Sequence, residues 1–360
     1  MSTRILLTGA GTGTANNLVR SLRAGDASLV VVGCHTNRFV LAQSTADRNV
    51  LIRATSGADL ARVARAEKID LVIPTRDDDV QVVARHRARL GARTFLPRTS
   101  IVEVCADKYR LTEALRRRGV AVPRTVPVSG LAGVTTAFRT LAPKGMAWCR
   151  ARRGSGSLGA LPVRRPEQAR AWIAYWREMR GVPASAFTLS EYLPGRDFGC
   201  QTLWKNGEVV LAKAFERLEY FVGGGQPSGV SSVAALGRTT SDPRPVDTAL
   251  AAVRAVDRRA SGLYSVDMKE NAAGVPCVTE INAGRFLAGT NILDLAGKHN
   301  MAAKYVRLAL DEPAGVGEFR DPVDDHFMVR DLDVLPGILH VDALFDDVVD
   351  LRQRPRAVHP

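Results

Sequence analysis

Several common frameworks are missing from this sequence. Its five cysteines (Cys34, Cys105, Cys149, Cys200 and Cys277) are odd in number, scattered, and never in a CxxC pair. That excludes a disulfide scaffold or a cysteine-based zinc site and fits reduced thiols packed in cores. The six histidines are equally dispersed, so local spacing builds no histidine metal site. No run approaches the roughly 18 uncharged apolar residues that span a bilayer. MSTRILLTGAG runs almost directly into a strand-like stretch, without the apolar core and cleavage site of a secretory leader. A cytoplasmic protein with no membrane partner is the expectation. Aromatic residues make up only 6%, which bears on the reading of charge. Lys and Arg number 50 against 37 Asp and Glu, a net +13. The arginines recur at helical surface spacing, as in RHRARLGAR, with no interleaved aromatics. This reads as an arginine-biased surface rather than a nucleic-acid groove.

The chain does have ordinary globular proportions, 46% apolar and 24% charged over 360 residues, enough for two or three compact units. In the first hundred residues strand-like runs (ILLTGAG, LVVVGC, DLVIP) alternate with helical periodicity (TANNLVRSLRAG, ADLARVARAEK, DVQVVARHRARLG). Such alternation predicts a parallel sheet covered on both faces. The turn GAGTGTANN could cradle a dinucleotide phosphate, but glycines also suit a tight strand-to-helix turn, and no acidic residue ends the second strand. From about residue 101 the order changes. ADKYRLTEALRRRGVAVPRT predicts a helix capped by Asp107 and stopped by Gly119, and MAWCRA a strand leading into the glycine–serine loop ARRGSGSLGA. After residue 186 the pattern is antiparallel β, with a turn at Asn206-Gly207.

The stretch LYSVDMKENAAGVPCVTEINAGRF is the most informative. A hairpin centred near Ala273-Gly274 sets Asp267 opposite Glu280, with Asn282 on the same face as Glu280. Facing carboxylates repel unless a cation lies between them, and two carboxylates plus an amide form an all-oxygen set suited to Mg2+. A solvated acidic face explains the same pattern equally well from these residues alone. The loop 151–160 adds small residues whose N–H groups can close over phosphate oxygens, with Arg150, Arg152 and Arg153 beside them.

The order of these parts resembles the ATP-grasp superfamily. A DK-initiated helix ending in GVAVPRT is followed by a basic strand with its GSGSxG loop, by EYLPGxD, and by D…ExN in a hairpin. The closer likeness, over about residues 1–310, is to the branch with a carbamoyl-phosphate-synthetase-like arrangement. The fold implied is a Rossmann-like parallel α/β domain (1–100) ahead of two α+β grasp subdomains (101–186 and 187–312). A C-terminal extension (313–360) would pack on the body. The resemblance implies ATP with one or two Mg2+ ions, Mn2+ being an acceptable substitute. Lys108 and Arg150 would reach the phosphates, Arg150 standing where a lysine is usual, under the loop residues Ser155, Gly156 and Ser157. Glu191 to Leu193 match the hinge that reads adenine and Asp197 the ribose ligand. Asp267, Glu280 and Asn282 match the metal ligands. Arg285, one residue later than in the usual ExNxR pattern, and Arg217 are the catalytic candidates, with Lys213 a further phosphate contact. FVGGGQPSG (221–229) looks like a mobile lid.

The implied reaction is ADP-forming ligation of a small-molecule carboxylate to an amine through an acyl phosphate, with dimers common among similar proteins. Rival readings are an ATP-grasp carboxylase or carbamoyl-phosphate-type enzyme, an NAD(P) oxidoreductase using the GAGTGTA turn, and a non-catalytic nucleotide-binding protein.

Overall fold

The computed structural model describes residues 2–141, 145–157, 159–221, 228, 230–331 and 337–343. Strands β1 (Arg4–Thr8), β2 (Val30–His35), β3 (Arg48–Leu51), β4 (Leu71–Ile73) and β5 (Arg93–Thr94) form a parallel sheet in the order β3-β2-β1-β4-β5. Helices α1 (Gly13–Gly25), α2 (Arg38–Leu41), α3 (Gly57–Ala66) and α4 (Asp77–His86) link them. Successive β1 residues alternate in direction, so Ile5 and Leu7 enter one core while Leu6 enters another with Val32 and Val72. Both faces are covered, as the apolar runs predict. The glycine turn is shaped by packing. Gly11 has φ +88°, and a Cβ there would stand 1.8 Å from the Val40 carbonyl oxygen, so its backbone is pressed against α2.

The helix expected from residue 106 is the second of two. Helix α5 (Thr99–Ala106) ends and α6 (Lys108–Arg116) begins at Asp107, whose carboxylate accepts from the backbone N–H groups of Tyr109 and Arg110, both at 3.1 Å. A four-stranded antiparallel sheet follows, ordered β6-β9-β7-β8, from β6 (Thr125–Pro127), β7 (Ala147–Ala151), β8 (Leu161–Val163) and β9 (Phe187–Glu191). Helices α7 (Val134–Leu141) and α8 (Pro166–Arg180) pack on it through Phe138, Ile173 and Trp176.

The third sheet is antiparallel and has seven strands, β14-β13-β10-β11-β12-β15-β16. These are β10 (Asp197–Lys205), β11 (Glu208–Tyr220), β12 (Ala234–Thr239), β13 (Gly262–Glu270), β14 (Pro276–Ala283), β15 (His326–Val329) and β16 (Gly337–His340). Helix α9 (Pro243–Val256) contributes Val246, Leu250 and Val253 to the core beneath it. Helices α10 (Thr290–Ala296) and α11 (Met301–Ala309) return to the first domain, where Met301 and Tyr305 share a core with Ile5 and Leu7. At Asn206-Gly207 both residues have positive φ, 54° and 94°, the backbone that two-residue hairpin turns require.

Two expected boundaries shift. β9 pairs with β6 and β7, so the division expected at 186 falls one strand early, before rather than after Glu191. The C-terminal extension does more than pack on the body, because β15 and β16 continue the seven-stranded sheet. The segment read as a lid lies outside the described residues except for Phe221 and Ser228.

Candidate functional site

A cavity of about 910 Å³ opens where the three sheets meet. The predicted hairpin register is observed: Asp267 faces Glu280 and Ser265 faces Asn282, around a turn with Gly274 at φ +73°. All three proposed metal ligands line the cavity. The Asn282 amide donates to Asp267 Oδ2 at 3.0 Å and accepts from Arg285 Nη2 at 2.7 Å. Among the described residues no group of three or more His, Cys, Asp or Glu side chains is placed to hold a metal. Asp267, Glu280 and Asn282 offer two carboxylates and an amide, the hard oxygens that Mg2+ takes when other oxygens complete its shell.

Each carboxylate of that set also meets a cation. Arg217 forms an ion pair with Asp267 and another with Asp197 at 2.7 Å. Lys108 Nζ lies 3.4 Å from Glu280 and donates to the Gly154 carbonyl at 2.6 Å, tying the glycine loop to β14. Burial works against the charge on Arg217, but Asp267 and Asp197 outweigh it, and its pKa stands above the ordinary arginine value. Arg150 is different. Burial lowers its pKa, with only Glu280 opposing. Its Nη2 donates to the Thr279 carbonyl at 3.0 Å, while its buried Nε has no hydrogen-bond partner. An orphaned buried donor on the wall of a cavity fits a site whose anion comes from a ligand.

Ser155, Gly156 and Ser157 line the cavity in a loop where Gly154, Gly156 and Ser157 all have positive φ. The loop is anchored behind by Arg152, whose Nη2 lies 2.8 Å from Asp107. Glu191 and Leu193 reach the cavity from the crossover between the second and third sheets. The Glu191 carboxylate pairs with Arg124 at 3.0 Å. Asp197, at the start of β10, accepts from Tyr220 Oη at 2.5 Å.

Lys213 departs from its expected place and is corrected here. It does not line the cavity. It is 3% exposed, forms ion pairs with Asp294 at 3.2 Å and Asp321 at 3.1 Å, and donates to the carbonyls of Leu293 and His299. It shares a strand face with Arg217, but α10 and the segment around Asp321 cover that end. Arg285 does reach the cavity, and it pairs with Asp77, at the first residue of α4. Burial opposes its charge, but Asp77, Glu280 and Asp267 together outweigh that and hold its pKa above the ordinary value.

Sequence reading missed Asp77, whose partner lies 208 positions away, and missed Met328 and Arg330, which bring the C-terminal extension to the cavity wall. DDD after DLVIP was the available signal for the first. All five cysteines are buried, and burial pushes Cys34, Cys105, Cys149 and Cys200 up to about 12 and Cys277 to about 11, so none is a ready nucleophile. No helix among the described residues is long and apolar enough to cross a membrane.

No protein-family model and no curated protein matches the sequence, but many solved structures match the fold. An L-amino acid ligase from Bacillus licheniformis superposes with a TM-score of 0.68 at 14% identity, over 91% of this chain and 78% of that one. The biotin carboxylase domain of Hydrogenobacter thermophilus 2-oxoglutarate carboxylase, solved with MgADP and bicarbonate, gives 0.70 at 13% identity over 91% and 74%. A carboxyaminoimidazole ribonucleotide synthase from Aspergillus clavatus, complexed with ATP, gives 0.67 at 14% identity over 91% and 82%. With its five-stranded parallel sheet, its glycine-loop sheet and its hairpin-bearing antiparallel sheet in that order, this chain has the ATP-grasp fold behind a Rossmann-like domain.

Proposed function

We propose that the protein is an ATP-dependent ligase that joins a carboxylate to an amine and releases ADP and phosphate. The carrying observation is the facing pair Asp267 and Glu280 on one cavity wall, with Lys108 and the under-satisfied Arg150 beside them. Four more features support ATP: the positive-φ loop, the crossover residues Glu191 and Leu193, Asp197, and fold relatives solved with ATP or MgADP.

In this reading Lys108, Arg150 and the loop at Ser155, Gly156 and Ser157 hold the triphosphate, Glu191 to Leu193 hold adenine, and Asp197 holds the ribose. Asp267, Glu280 and Asn282 would hold one or two Mg2+ ions, which supply charge neutralisation on the transferring phosphoryl group. An oxygen of the acid attacks the γ-phosphorus, and the bond to ADP breaks. The amine nitrogen then attacks the acyl carbon, the bond to phosphate breaks, and the amine proton passes to solvent. Positioning and charge do most of this work. Arg285, which is fixed by Asp77 and donates to Asn282, and Arg217, which pairs with Asp267, are assigned to the developing charge.

The test is ADP release from MgATP across panels of acids and amines. Release that requires both partners is expected. ADP release driven by bicarbonate without an amine would favour a carboxylase, and no release with any pair would reject the ligase.

A further inference from the structure

The cavity wall contains a cation that the phosphate chemistry does not use. Lys108 meets Glu280, Arg217 meets Asp197 and Asp267, Arg285 meets Asp77, and Lys269 lies 3.7 Å from Asp197. Arg150 belongs to the triphosphate end. Arg330 has no carboxylate partner among the described residues. It follows directly on β15, its backbone N–H donates to the Ala235 carbonyl at 2.9 Å, and alternation puts it on the same face as Met328. Among the described residues its Nη1 reaches the Ala234 carbonyl, at 3.4 Å, and its guanidinium lies 5.8 Å from the Phe221 ring centroid. Its Nε is buried with no hydrogen-bond partner, and burial lowers its pKa.

A half-buried guanidinium without a counter-anion is unfavourable unless something supplies one. Arg76, also on the cavity wall, is exposed and can be satisfied by water. Arg330 is shielded, and its surroundings are apolar: Met328, Leu287, Phe215 and Ala234 pack in one cluster. A guanidinium beside an apolar wall matches a carboxylate carried on a short apolar stem.

We propose that Arg330 binds a carboxylate on one of the two substrates, separate from the carboxylate that is activated. The C-terminal extension thereby selects anionic substrates. This rests on the ligase reading, and the source of the carboxylate is either an amino acid used as the amine or a dicarboxylic acid used as the acid.

The test uses the full-length chain with MgATP. The common L-amino acids are offered as amines beside their carboxamides, and short dicarboxylic acids as acids beside their monoamides. Amidating the free carboxylate should lower kcat/KM by about ten- to a hundredfold. Arg330→Gln should erase that discrimination, and Arg330→Lys should restore part of it, an outcome that a merely structural arginine would not produce. Whichever substrate shows the discrimination carries the carboxylate. Equal rates for free and amidated forms, or discrimination that persists in Arg330→Gln, would overturn the subsite while leaving the ligase intact. No ADP release with any pair would overturn both.

Discussion

Arg217 starts on β11 yet pairs with Asp267 on β13, passing over β10 at Gly199. A Cβ at that position would lie 3.0 Å from Arg217 Nη2 and 2.5 Å from the Phe215 ring, so the glycine is what lets the guanidinium lie flat across the strand. Arg217→Met should leave Asp267 without its cation, Asp197 keeping Lys269 at 3.7 Å, and cost about 3–5 kcal/mol of unfolding free energy in urea, as breaking a buried pair does. Mg2+ should recover more of that loss in the variant than it adds to the wild type, because Asp267 is then free to bind it. A loss of about 0.5 kcal/mol or less would mean that the pair is screened as surface pairs are. Asp79 offers a pH test. It is 2% exposed and accepts from Thr8 Oγ1 at 2.7 Å. Burial raises its pKa above the ordinary aspartate value, with the Thr8 hydrogen bond opposing. The folded state thus holds this proton more tightly than the unfolded one, and the charge that forms as pH rises disfavours folding. Asp79→Asn should match the wild type in acid and exceed it in stability near neutrality, as measured by paired urea melts across that range. A constant difference would contradict the shift.

At the scale of elements, Asp107 does two jobs. It ends α5 and caps α6, and it holds Arg152 behind the glycine loop. Asp107→Ala should cost about 0.5–2 kcal/mol through the cap alone and should also raise the KM for ATP, because the loop loses its anchor. A thermal shift with no change in KM would confine Asp107 to capping. The helix start was readable because an N-cap is a local signal. The Asp267–Glu280 register was readable for a similar reason: a short hairpin fixes pairing by symmetry about its turn. Lys213 shows where such reading ends. It lies on the same strand as Arg217, and nothing in that strand's sequence reveals α10 and Asp321, which cover its end. The partner of Asp77 and the role of Arg330 went unread for the same cause, since both depend on contacts between segments far apart in sequence. The separate helix α5 ahead of Asp107 and the membership of β9 were missed because a helical or strand pattern does not reveal which neighbour each segment pairs with.

For the molecule as a whole, the cores decide which parts are separable. One core mixes Ile5, Leu7 and Leu71 from the first sheet with Leu203, Leu263 and Tyr305 from beyond residue 200. Another mixes Leu111 and Leu115 with Phe198, Val266 and Ile281. The Rossmann-like sheet and the seven-stranded sheet therefore share apolar interior, reinforced by Tyr305 Oη donating to the Phe95 carbonyl at 2.7 Å. The four-stranded sheet is different, because its core is drawn from residues 126–189 alone. Its links to the body are mainly polar, among them Arg152 to Asp107 and Arg150 to the Thr279 carbonyl. Three of the four tryptophans, Trp148, Trp172 and Trp176, lie in this unit, and the fourth, Trp204, is in the body. Tryptophan fluorescence should accordingly report mostly the small unit, while far-UV ellipticity reports the whole chain. Without nucleotide, the fluorescence transition in urea should fall at a lower midpoint than the ellipticity transition, a departure from two-state behaviour. MgADP should draw the two together, because the cavity walls it would touch come from both bodies, Trp148 and Ser155 on one and Asp267 and Asn282 on the other. Coincident transitions in the absence of nucleotide would mean that the small unit has no separate stability, whatever its core suggests. Separate transitions that MgADP leaves unmoved would mean that the nucleotide does not bridge the two bodies.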